Sequence, residues 1–211
     1  MSQFALPLVW PVDSADSEFV ISESNERAAQ ALDRWGTWPV MVCLLVGPRK
    51  SGRSLLGRIF VRRSGGMLID DAERRNEAEI FHAWNTAQAE RRPLLIVADT
   101  PPPGWTITLP DLQSRIAATP ILRIEPPDPA LMQALFERSF LRRGVDARPE
   151  LIQWLVTRVE RSHLAVARAV DMLDEEALRH RKRLSIPSAR ATLVAAGLLG
   201  DGQQGLGEIR P

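Results

Sequence analysis

The sequence predicts an α/β fold, a parallel sheet flanked by helices, followed by a small α-helical subdomain. Three observations predict it. Short apolar runs ("VMVCLLV", "GGMLI", "PLLIVA", "PILRI") alternate with helical patterns, as in a parallel sheet buried on both faces. The glycine-bounded loop "GPRKSGRS" follows directly on the first run. Beyond Pro127 the pattern is helical only, which marks a second unit.

Four segments follow from this reading: residues 1–18 an extended N-terminal segment, 19–127 the α/β domain, 128–195 the helical unit and 196–211 a flexible glycine-rich tail. Within the α/β domain, Ser24 or Asn25 is placed to cap a helix carrying Ala28, Ala29, Leu32 and Trp35 on one side. "PVMVCLLVG" reads as a fully buried strand, with helix from about Gly52 to Arg63 after the loop. "GGMLIDDAE" reads as a second buried strand ending in two aspartates. Asn76 and Glu79 have capping-box spacing ahead of Ile80, Phe81, Trp84 and Ala87. "PLLIVAD" and "PILRIEPPD" read as the third and fourth strands. In the helical unit, Asp128-Pro129 opens a helix to about Arg143, and further helices follow Pro149, Ser162 and Pro187.

Composition bounds the function. The chain has 211 residues, 45% hydrophobic and 25% charged, with net charge +1. No global field recruits nucleic acid, so DNA contact is expected to be weak or indirect. The basic runs Arg142-Arg143 and "RHRKR" (179–183) read as solvated faces before they read as phosphate contacts. The single cysteine, Cys43, lies inside an apolar run and reads as a buried thiol of a reducing compartment. The N-terminus carries no cation and has Pro7 and Pro11, unlike a signal peptide. No apolar run reaches the ~20 residues of a membrane helix, so a cytoplasmic protein with no membrane contact is expected. The three histidines are too scattered to hold a metal. Trp10 and Trp105 lie in proline-rich segments and are candidates for an assembly surface.

The loop has the spacing G-x-x-x-x-G-K-[ST], with Arg53 in the lysine position. Gly47 and Gly52 let backbone amides wrap phosphate oxygens, Arg53 supplies a cation, and Ser54 a hydroxyl for Mg. Asp70 is the candidate partner of Ser54 on Mg, with Asp71 polarising a water. Asp99, ending the third strand, is a candidate γ-phosphate sensor. The competing reading is a basic strand–helix turn that binds nothing, with strand-end aspartates of no further role.

These pieces, taken in order, resemble the AAA+ core of the bacterial replication initiator DnaA and its Hda-type regulatory homologues. "FVISESNERAA" resembles the adenine-side entry motif, "GPRKSGRS" the phosphate loop, "MLIDDAERR" the acidic strand and "LLIVADTPP" the sensor strand. "LPDLQSRIAATPILRIEPPD" resembles the arginine-finger segment, and the helices after Asp128 the lid. The resemblance implies a P-loop AAA+ core with a lid, bound ADP or ATP, and Arg115 as an arginine finger acting in trans on DnaA. Three departures stand out. Only fifteen residues separate Ser54 from Asp70, shorter than in the family. Leu164 stands in the second sensor's arginine slot, with Arg161 and Arg168 nearby. No DNA-binding domain is expected after the lid, unlike in the initiator.

"QFALPL" at the N-terminus resembles the linear motif that binds the DNA polymerase III β sliding clamp. Leu6 and Leu8 would fill an apolar pocket, Gln3 bond at its rim, Phe4 add apolar area and Pro7 lower the ordering cost. A strand packed on its own domain is the alternative. The expected function is therefore negative regulation of replication initiation, the chemistry belonging to DnaA and this chain being no efficient ATPase. Two other classes stay open: a P-loop ATPase loader or motor on DNA, and a nucleotide-independent clamp adaptor. Self-association to a homodimer also stays open.

Overall fold

A computed structural model describes residues 19–180 and 183–199 of the chain. The candidate clamp motif Gln3–Leu8, Trp10 and the tail from residue 200 lie outside the described residues.

Four parallel strands form one sheet: β1 (Val42–Val46), β2 (Met67–Ile69), β3 (Leu94–Ala98) and β4 (Ile121–Arg123), in the order β2-β3-β1-β4. β1 and β3 are buried along their whole length, as their unbroken apolar runs predict. β2 was expected to be buried and is half-buried, because it is an edge strand with one neighbour. β4 forms the other edge, and its Ile121 is exposed.

The alternation of side chains along a strand splits the core in two. Val42, Leu44, Val46, Leu94 and Ile96 face a layer made by α3 (Glu77–Glu90) and α4 (Pro110–Ala117), through Ile80, Ala87, Leu112 and Ile116. Cys43, Leu45, Leu95 and Val97 face α1 (Glu26–Asp33) and α2 (Arg53–Ser64), through Ala28, Leu32, Leu56 and Phe60. Burial pushes the Cys43 thiol up to about 12, and its Sγ donates to the Pro120 carbonyl at 3.3 Å. Trp105, expected at a surface, is instead buried in the α3/α4 core. The proline-rich loop around it folds back over the sheet.

α2 ends at Gly65, and β2 begins two residues later at Met67. One helix therefore makes the whole connection from β1 to β2. At the head of α1, Asn25 does not cap with its side chain; Oδ1 accepts from Ser22 N–H and Nδ2 donates to the Val20 carbonyl.

The second unit has its own core. α5 (Pro129–Arg143), α6 (Pro149–Arg158), α7 (His163–His180) and α8 (Ile186–Ala195) pack through Phe136, Phe140, Leu155, Val170, Leu173 and Leu193. Local chemistry starts each helix where the prolines and small polar residues predict. Asp128 accepts from Leu131 N–H at 2.8 Å, Ser162 Oγ from Ala165 N–H, and Ser185 with Ser188 closes a capping box. Residues 196–199, expected to belong to a flexible tail, turn back through Gly197, and Leu198 and Leu199 pack on this core.

Candidate functional site

The register of β1 against β3, with Val46 opposite Ala98, sets the first cluster. Leaving β1, the backbone at Gly47 passes so close to Ile124 that a Cβ would lie 2.9 Å from its carbonyl oxygen. The loop then turns through Lys50 (φ 66°) and Gly52 (φ 86°), both left-handed, a conformation that favours glycine at the second position. The Phe19 ring lies against Gly52, where a Cβ would meet it at 3.0 Å. The Ser51 hydroxyl is buried without a protein partner. A buried polar atom in that state calls for an explanation. An anion's acceptor oxygen at the N-terminus of the 12-residue α2 supplies one.

Arg53 starts α2 and is 8% exposed. Its guanidinium crosses to the end of β3, donating from Nη1 to the Ala98 carbonyl and from Nη2 to the Asp99 carboxylate. The loop cation and the candidate sensor are thus partners of each other. Glu73, in the turn after β2, accepts from the backbone N–H of Asp99 and, at 3.4 Å, of Thr100. Arg53, Glu73 and Asp99 therefore tie together the chain segments that leave the three adjacent strands. Ser54 is half-buried on the first turn of α2. Asp70 is half-buried, its Oδ1 accepting from Asp71 N–H and its carbonyl from Arg75 Nε. Asp71 is exposed in a left-handed turn (φ 52°).

Arg115 forms a second cluster, on α4 against α3. Its Nε donates to Asn85 Oδ1 at 2.9 Å, and its guanidinium carbon stands 4.5 Å from the Phe81 ring centroid and 5.2 Å from that of Trp84. Nη1 reaches the Asp111 carbonyl at 3.4 Å. These partners are neutral, and the side chain is half-exposed. Two further clasps hold α4 on α3. Trp84 Nε1 donates to Thr119 Oγ1, and the Glu77 carboxylate accepts from the backbone N–H groups of Thr108 and Leu109. Those two amides hold the Glu77 carboxyl below its ordinary range.

At the start of α7, Leu164 is exposed, Arg161 Nε donates to the Pro127 carbonyl at 3.3 Å, and Arg168 is exposed. His163 beside them is 5% exposed with Nδ1 unpartnered, and burial pushes its pKa down. Among the described residues no group of three His, Cys, Asp or Glu side chains is placed to hold a metal ion by itself.

The sequence motifs alone do not single out Ser51, Glu73, Glu77 or Asn85. The i, i+4 spacing of Phe81 and Asn85 was the available signal, since it puts both on the face of α3 that meets Arg115.

Residues 128–193 match the family model described as the Hda lid domain. Domain III of the Thermotoga maritima replication initiation protein DnaA is similar in structure, with a TM-score of 0.72 at 15% identity over 87% of this chain and 96% of that one. AMPPCP-bound DnaA from Aquifex aeolicus gives a TM-score of 0.56 at 16% identity, covering 74% and 63% of the two chains. A Haemophilus influenzae protein described as uncharacterized is 28% identical over 118 residues, 56% of this chain and 51% of that protein. The chain spans about half the length of this curated relative. The C-terminal unit thus resembles the lid of Hda, and it follows an α/β domain with the fold of DnaA domain III.

Proposed function

We propose that this chain, an AAA+ protein related to DnaA and carrying an Hda-type lid, restrains the initiation of DNA replication by stimulating ATP hydrolysis on DnaA. The observation that carries the reading is the setting of Arg115: a half-exposed guanidinium held by an amide and two aromatic faces, with its charge unspent. An arginine offered in trans to a transferring phosphoryl group raises hydrolysis by about 10³–10⁵ in other systems. Arg115 is the residue offered to the nucleotide of DnaA.

The phosphate loop holds a nucleotide of its own, ADP or ATP. The orphaned Ser51 hydroxyl and the left-handed turn at Gly52 fit phosphate oxygens, and the nucleotide would supply negative charge that fixes the loop and the lid. Gly47, Gly52 and Ser54 line that site, with Ser54 and Asp70 as the Mg-binding pair. Arg53, tied to Asp99, contributes little charge to an attack on the chain's own nucleotide, so Asp71 has a minor role and the chain is a poor ATPase. Docking on the polymerase III β clamp through Gln3, Phe4, Leu6, Pro7 and Leu8 brings the chain to DNA without a strong DNA contact of its own.

The test is reconstitution. ATP-loaded DnaA, DNA and loaded clamp are mixed with the full chain or with a chain lacking residues 1–8. The full chain should accelerate release of phosphate, and the shortened chain should lose clamp binding and most of the acceleration. No acceleration by the full chain refutes the regulator reading, and full acceleration by the shortened chain refutes the clamp motif.

A further inference from the structure

α4 carries Arg115, yet its own hold on the core is slight. It is eight residues long and buries two of them, Leu112 and Ile116. Leu109, just before it, offers no side-chain cap, and Pro110 opens the helix. The donors at its head go instead to α3. The Glu77 carboxylate accepts from Thr108 N–H at 2.9 Å, from the Thr108 hydroxyl at 2.9 Å and from Leu109 N–H at 2.6 Å. We infer that Glu77 is a positioning residue for Arg115, setting where the guanidinium stands by anchoring the head of α4. The inference rests on the reading of Arg115 as the group offered to the nucleotide of DnaA.

Glu77, Phe81, Trp84 and Asn85 stand at i, i+4, i+7 and i+8 on α3, which is one face of a helix. Along that face the contacts follow α4 from head to tail. Glu77 holds Thr108 and Leu109, then Phe81, Trp84 and Asn85 meet Arg115, and Trp84 Nε1 reaches Thr119 Oγ1. The two helices therefore run side by side in the same direction, clasped at both ends. The far clasp touches the arginine itself, and the near one fixes the helix that bears it. From Leu109 to Arg115 is about 9 Å of helix axis, so a tilt at the head displaces the guanidinium. A misplacement of about 1 Å can cost about 10²-fold where a group must meet a reacting centre.

The donors explain why the anchor is a carboxylate. Two backbone N–H groups and a hydroxyl converge on it, and an ionised carboxylate only accepts. Thr108 N–H lies 2.9 Å from one oxygen and 3.1 Å from the other. A side-chain amide of the same shape would set its nitrogen against that N–H in either orientation. Glu77 acts through α4, so it positions and does not catalyse.

The experiment is the reaction of ATP-loaded DnaA, DNA and loaded clamp, titrated with the full chain, unaltered or Glu77→Gln. The maximal acceleration should fall by about tenfold, with the half-saturating concentration unchanged. A role in folding alone would do the reverse, since a partly unfolded chain saturates later at the same maximum. That result, or no change, overturns the assignment. Should Glu77→Gln not fold, Thr108→Val, which removes one donor and leaves the carboxylate, should lower the maximum by a smaller factor; an unchanged maximum overturns it. The Arg115 Nε–H resonance, identified by its loss in Arg115→Ala, is recorded alongside and should shift in whichever variant is used. Absence of acceleration by the unaltered chain removes the finger reading, and the resonance then decides: a signal left in place overturns the control of Arg115 by Glu77, and a shifted one upholds it.

Discussion

Arg53 and Arg115 sit in the same α/β domain, and the fold treats them in opposite ways. Arg53 is buried, with a carboxylate and a strand-end carbonyl consuming its donors. Arg115 is half-exposed, steadied by Asn85, Phe81 and Trp84, and these partners carry no charge. Neutralisation makes an arginine part of the scaffold, whereas a neutral cradle aims it and leaves its field intact. The difference teaches that the kind of partner, more than burial alone, separates a cation spent on structure from one available to another molecule.

The largest expected effect comes from Arg115→Ala. Stimulation of DnaA ATP hydrolysis should fall by about 10³ or more, the scale such arginines supply. The fold should survive, since cation–π contacts at a part-exposed site are worth about 1 kcal/mol. Phosphate release and the thermal melt are measured together, and a variant that still stimulates would place the finger elsewhere.

Arg53→Ala should give the opposite profile. Removing it strands the Ala98 carbonyl, and a loss of about 1–3 kcal/mol in urea unfolding is expected, with the half-exposed Asp99 adding little because water screens it. If Arg115→Ala proved the more destabilising of the two, Arg115 and not Arg53 would be the arginine committed to the scaffold. The smallest effect is predicted for Asn85→Asp, which converts the cradle of Arg115 into an ion pair like that of Arg53. Stimulation should drop by about tenfold while the melting temperature holds or rises, and unchanged stimulation would show that the charge of the partner is irrelevant.

Much of this architecture was legible. β1 and β3 are unbroken apolar runs closed by glycine or aspartate, and burial on both faces follows from that pattern. The starts of α5 to α8 were readable from Pro129, Pro149, Ser162 and Pro187. α4 was not: it is eight residues long with two buried positions, Leu112 and Ile116, too few for a period to emerge. The half-burial of β2 depends on its place at the sheet edge, which is a property of strand order. Trp105 reads as exposed beside four residues of proline and glycine, yet the loop delivers it to the core. At the site, the residue types were visible but their pairing was not. Arg53 and Asp99 are 46 positions apart, and only the adjacency of β1 and β3 brings them together. The cradle of Arg115 likewise needs α3 and α4 side by side.

Cys43 stands at the middle of β1, sealed on both sides and holding its proton far above neutrality. A thiol in that state cannot be alkylated while the sheet is intact. With one sulfhydryl in the whole chain, uptake of a maleimide dye becomes a clock for rupture of the central strand, blind to whatever the helical unit is doing. The molecule thus carries its own reporter for deciding whether nucleotide, clamp or DnaA grips the sheet.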